Sequence, residues 1–192
     1  MGGTITKKAD MGIGTLILFI AMILVAAIAA SVVIQTAISL QSRTLETGSR
    51  TTRSVSTGLE ALVVHGEDGR DGHLSNFSLK VKLIAGSYPI RFNDTLLEIS
   101  TPEDSGEYSY AGLGCENLDS SGYFVDYLVT GDAYTPGYIQ PGDVTMICAE
   151  SPYNITSDID VDFRLTPVDG VPLSVDTSVP HVLSTRRVFL YP

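Results

Sequence analysis

The residues of this sequence that could do chemistry are few, and they do not converge. His65, His73 and His181 are scattered and lack the metal-ligand spacing of an HxxxH pair. They read as surface or turn residues. Cys115 and Cys148 each stand alone, without a CxxC. No GxSxG, phosphate-binding glycine loop or dinucleotide fingerprint occurs. The run Glu67-Asp68-Gly69-Arg70-Asp71-Gly72 offers oxygens of the kind a calcium ion takes, but Arg70 opposes a cation and the other EF-hand ligands are missing. It reads as a hairpin turn. Glu103, Asp104 and Glu107, after Pro102, read as a solvated loop. The expectation is a chain with no catalytic residues, no metal site and no cofactor.

Two covalent modifications remain. In an extracellular setting Cys115 and Cys148 are expected to form a disulfide, contributing roughly 3–4 kcal/mol in the chain-entropy model. Two buried free thiols are the alternative. Three sequons, at Asn76, Asn93 and Asn154, would accept N-linked glycans on an exported domain. The formal net charge is −10, and the rear of the chain holds no Lys/Arg cluster. That argues against a nucleic-acid partner, which needs clustered positive charge. An acidic surface favours solubility and suits high salt or divalent cations.

These residues sit on two very different stretches. No charge occurs between Asp10 and Arg43, and all nine prolines lie at Pro89 or later. From Ile13 to Ile34 the chain exceeds the roughly 20 apolar residues that cross a bilayer as a helix. Lys7 and Lys8 ahead of it keep the N-terminus cytoplasmic and place the rest of the chain, beyond the helix, outside. Apolar residues at Ala37, Ile38, Leu40, Leu45, Val55, Leu59 and Leu62 extend the helical period, so the helix is expected over residues 10–62. Such a helix is about 80 Å long at 1.5 Å per residue, and a kink or break near Gly48 is an open alternative. Ala26, Ala27, Ala29, Ala30 and Ser31 form a patch of small residues that lets helices approach closely in an apolar medium. A plain single-span anchor fits the same composition. A secretory signal peptide fits the first part of it, but apolar character continues through Val32, Val33 and Ile34.

Beyond residue 62 the period changes to two. Phe77, Leu79, Val81 and Leu83 alternate with Asn76, Ser78, Lys80 and Lys82, and Ile159, Val161 and Phe163 with Asp158, Asp160 and Asp162. Further strand-like runs are 61–65, 95–100, 123–129, 144–149, 173–176 and 187–191, separated by Asp-Gly and Pro-Gly turns. Many short strands without helical interruption predict an antiparallel β-sandwich over residues 63–192. The fold class expected is therefore α+β, a long N-terminal hydrophobic helix followed by a sandwich.

The stretch from Lys7 to Ala37, KKADMGIGTLILFIAMILVAAIAASVVIQTA, closely resembles the N-terminus of archaeal flagellins (archaellins), which are built like type IV pilins. GSYPIRF (86–92), QPGD (140–143) and the closing FLYP (189–192) look like pieces of the same family's globular domain. The resemblance implies a leader, residues 1–9, removed by a prepilin-type signal peptidase between Ala9 and Asp10. Lys7 and Lys8 match the basic pair, and Gly12 the glycine at the third mature position. Ala9 departs from the glycine more usual before the cut. It further implies an immunoglobulin-like sandwich, glycosylation, and a helical filament made of many copies of this chain and possibly other archaellins. The precursor would sit in the cytoplasmic membrane and the filament on the cell surface, serving swimming. The alternatives are an adhesive type IV pilin and a membrane-anchored monomeric binding module.

Overall fold

The computed structural model describes residues 3–67, 69–116 and 118–192, apart from the side chains of residues 3–11 and 70. Two compact units, residues 1–49 and 50–192, are described separately.

Helix α1 runs unbroken from Gly3 to Ser56, straight through Gly48. Its hydroxyl side chains turn back onto its own backbone: Thr15 donates to the Gly12 carbonyl, Thr36 to Val33, Ser42 to Ser39 and Thr44 to Leu40. Back-bonding of this kind lets Ser and Thr sit on an apolar helix without an orphan hydroxyl. The helix ends short of the expected Leu62, and Leu59 to Leu62 open the first strand instead. Leu59 and Leu62 fit a helical spacing. The Gly58 N–H, however, takes the Ser87 hydroxyl (3.0 Å) in place of a helical carbonyl, and the chain pairs laterally from Leu59 onward.

Among the described residues the second unit holds eleven strands: β1 (Leu59–Glu67), β2 (Leu74–Leu83), β3 (Ile90–Arg91), β4 (Thr95–Ser100), β5 (Ser105–Leu113), β6 (Gly122–Val129), β7 (Tyr138–Ile139), β8 (Val144–Ile155), β9 (Asp160–Pro167), β10 (Leu173–Ser178) and β11 (Arg187–Tyr191). Nine form one ladder in the order β10-β9-β4-β5-β6-β8-β2-β1-β11, and β3 pairs with β7. The ladder folds over on itself as a sandwich. Phe77 of β2 meets Phe163 of β9 edge to face across the core, with ring centroids 5.0 Å apart. Leu79, Leu97, Ile99 and Ile147 are fully buried around them. The Tyr123 hydroxyl, also buried, donates to the Phe92 and Thr95 carbonyls at 2.8 and 3.2 Å.

Every ladder pair is antiparallel except β5–β6. Parallel neighbours normally need a crossover of a dozen or more residues, yet residues 114–121 suffice here. Cys115 in that crossover is joined to Cys148 of β8, with Cα atoms 5.7 Å apart. Strand β5 was not legible in the sequence, because Tyr108 is its one buried side chain and two glycines interrupt it. Glu107, expected in a loop, therefore lies within a strand. Glu103 and Asp104 do form a turn, closed by Thr101 N–H to the Asp104 carbonyl at 2.9 Å.

Candidate assembly site

Along α1 from Gly12 onward nearly every side chain is exposed, and none of the fourteen large apolar residues between Ile13 and Ile34 touches a core. Ala26, Ala27, Ala29, Ala30 and Ser31 are exposed with them. Ala26 and Ala30, and Ala27 and Ser31, stand one turn apart, so the patch is continuous along the helix. A Cβ added at Gly12, Gly14 or Gly48 would meet nothing within 4 Å. The side chains of Lys7, Lys8, Ala9 and Asp10 lie outside the described residues.

The last turn of the helix, in contrast, is tightly fastened to the sandwich. Thr57 is 1% exposed; its N–H donates to the Arg53 carbonyl (3.0 Å), and its own carbonyl accepts from Val171 (2.8 Å). Ser87 bonds both sides of Gly58, accepting from the N–H and donating to the carbonyl at 3.1 Å. The Tyr88 N–H reaches the Thr57 hydroxyl, and the Arg53 guanidinium lies 5.2 Å from the Tyr88 ring centre. So GSYPIRF is the clamp on the helix end, with Gly86 at φ +87 supplying a backbone turn that side-chain-bearing residues resist. Sequence reading picked out the motif without its role, because the role depends on a partner roughly thirty residues away.

QPGD has a similar local logic. Asp143, 1% exposed, accepts from the Gly131 N–H at 2.7 Å and the Gln140 N–H at 2.9 Å, pinning two loops together.

The three histidines divide. His181 is exposed and pairs with Asp158, which raises its pKa. His73 is half-buried in a bend. His65, expected at the surface, is 2% exposed on β1, and neither ring nitrogen has a hydrogen-bond partner. It stands opposite Ser78 on β2 and Phe189 on β11, against the Phe189 ring (5.9 Å). Burial holds its imidazole below the usual range, with the nearby Arg187 charge adding to the effect. The 67–72 segment joins β1 to β2 as a hairpin, and its Glu67 carboxylate is taken by Arg187 at 2.7 Å. Asp68 lies outside the described residues.

The sequons also differ. Asn154 and Thr156 are exposed. Asn93 is exposed, while the Thr95 hydroxyl is committed to the Arg91 carbonyl at 2.9 Å. Asn76 is half-buried on the inner strand β2, and Ser78 is buried with its hydroxyl directed at Cys148 Sγ, 3.6 Å away.

The model of the archaeal-type flagellin family matches residues 9–177. The chain belongs to that family. It is 31% identical to flagellin B1 of Methanocaldococcus jannaschii over 197 aligned positions, covering 91% of each protein. It is 38% identical to flagellin B1 of Thermoplasma volcanium over 133 positions, which span 67% of this chain and 51% of that relative. Among solved structures, the archaeal flagellum of Methanospirillum hungatei superposes with a TM-score of 0.71 at 14% identity, over 94% of this chain and 99% of that one. The crystal structure of flagellin FlaB1 from Methanocaldococcus jannaschii gives 0.64 at 20% identity, over 70% and 97%. At these identities the structural likeness speaks to the fold, and it extends over helix and sandwich alike in the first case. Family membership rests on the sequence match.

Proposed function

We propose that this flagellin-family chain is a structural subunit of an archaeal flagellar filament, assembled by packing of its helices and serving swimming. The observation that carries this reading is the helix itself. All fourteen large apolar side chains between Ile13 and Ile34 are exposed, and none joins the buried core among the described residues. Exposing them to water would cost roughly 20–40 kcal/mol, an upper bound. The helix therefore lives in lipid or against copies of itself. Leaving lipid gains little from hydrophobicity, so close contact through the Ala26–Ser31 patch must favour the bundle.

In this reading the precursor is held in the cytoplasmic membrane with Lys7 and Lys8 inside. A prepilin-type peptidase cuts between Ala9 and Asp10, and the freed subunit joins a non-closing helical array on the cell surface. The Cys115–Cys148 disulfide forms outside the cell, and Asn93 and Asn154 carry glycans on the finished domain. Asn76 is the exception. With Ser78 buried beside the disulfide, its sequon is open to a transferase before the sandwich closes and shut afterwards. No catalytic role is proposed.

The deciding measurement is the intact mass and N-terminal sequence of the protein on sheared surface filaments, with a swimming assay of cells lacking the gene. A start at Asp10 and a loss of swimming are expected. A start near Ala30, or a surface protein recovered only as monomers, overturns the reading. Filaments whose loss abolishes attachment and leaves swimming intact assign the chain to an adhesive pilin.

A further inference from the structure

Strand β11 forms one edge of the ladder, with β1 as its neighbour. Two of its side chains fasten it there. Arg187 donates to the Glu67 carboxylate through Nη2 (2.7 Å) and Nε (3.3 Å), and the Phe189 ring stands against His65. Val188, between them, is buried in the core. The imidazole under Phe189 is shut away from water with no hydrogen bond at either nitrogen. A buried polar group left in that state is uncommon, because it costs free energy. Ser78, which faces His65 from β2, directs its hydroxyl to Cys148 Sγ instead.

The groups around the ring oppose its protonation. Burial disfavours a charged imidazole, and the cations Arg187 of β11 and Lys80 of β2 add to that. Glu67, on β1 itself, is the one carboxylate among the described residues that favours it; it lies 3.9 Å away and is held by Arg187. A proton on His65 can therefore be accommodated in two ways. The imidazolium can draw Glu67 away from Arg187, or it can reach water by displacing the Phe189 ring. Arg187 and Phe189 both belong to β11, so either response loosens the same strand.

We propose that His65 is a proton-operated latch on β11: the strand is held to β1 while the imidazole is neutral and is released when it is protonated. The inference is independent of the filament reading, since every group in it lies within one sandwich. The sign follows from linkage. With β11 released, His65 is wet and takes up a proton near its ordinary value of 6.5, above its value under Phe189. Release is therefore favoured as pH falls through 6.5 and suppressed above it. The start of the segment that leads into β11 responds the opposite way. His181 pairs with Asp158 and has a raised pKa, so a proton strengthens that pair. Val179 beside it donates to the Ile159 carbonyl (2.9 Å) and accepts from the Asp158 N–H (3.1 Å). Acid thus frees β11 while residues 179–181 stay attached. It also uncovers the edge of β1 from Val64 to Glu67, where another strand could pair.

Hydrogen exchange of the full chain dispersed in detergent, read by mass spectrometry and corrected for the intrinsic rate at each pH, tests the latch. Protection of residues 188–191 is expected to lie below that of β2 and β8 throughout. It should fall about tenfold from pH 7.5 to pH 5.5, as one proton on an open state titrating at 6.5 requires. His65→Phe should abolish the fall, and so should His65→Gln, which stays polar without titrating and serves if the Phe variant folds poorly. His181→Ala should leave the fall in place. The latch is overturned if β11 protection is flat with pH, or if the fall persists in the His65 variants. It is equally overturned if β11 exchanges in step with β2, as global unfolding alone would make it do.

Discussion

The helix and the sandwich are stabilised by opposite means. The sandwich closes its own core around Phe77 and Phe163 and adds a disulfide. It therefore contains within one copy what it needs to fold. The helix buries nothing in its apolar stretch and depends on lipid or on other subunits. One chain thus joins a domain whose core is closed within one copy to a segment whose apolar side chains are left exposed. Substitutions in the two regions should accordingly fail in different assays.

The widest separation is expected from Ala27→Leu or Ala30→Leu. Either should cut filament number and strength severely, because a larger side chain holds neighbouring helices apart, while the sandwich melts as before. Filaments normal in both respects would sink the close-packing argument. Phe163→Ala should do the reverse, costing the sandwich about 3–5 kcal/mol in denaturant titration. Replacing Cys115 and Cys148 together by alanine removes a cross-link spanning 33 residues. It should cost about 3–4 kcal/mol by the same titration, and fray the short crossover between β5 and β6 first in hydrogen exchange.

Ser87→Ala tests the clamp at Gly58, inside the second unit. It strands the buried Gly58 N–H, for about 1–3 kcal/mol, and should raise exchange at Gly58 and Tyr88 above that at Phe77. The smallest effect concerns His65. Its pKa is lowered in the folded state, so as pH falls through the unfolded value of 6.5 the unfolded chain takes up the proton first. Stability is then complete above that pH and declines below it. His65→Phe should flatten this acid-side decline in melting curves taken between pH 7 and pH 5. An unchanged slope would show that His65 is not its source.

Much of this arrangement could be read directly from residue order. The helix was legible because fourteen large apolar residues without a charge leave few structures that satisfy the backbone in lipid. Strands β2 and β9 were legible because side chains alternate strictly when one face is wet. Strand β5 was not, since a strand with a single buried residue leaves almost no hydrophobic period to detect. His65 was misplaced for a related reason. An outward-facing position on a strand is wet by default, and only contact with Phe189 of β11, far along the chain, makes it dry.

Sequence by itself determined the membrane-capable helix, the switch to strands and the family, because each is encoded in local period or in contiguous residues. Tertiary structure alone decided where the helix ends, that Ser78 of the first sequon is buried, how the ladder is ordered and which charges share a face. Those depend on pairings between distant residues, such as Ser87 with Gly58 and Asp162 with Asp176. Local propensity is silent about such pairings, since it registers what a residue prefers and not what the fold brings beside it.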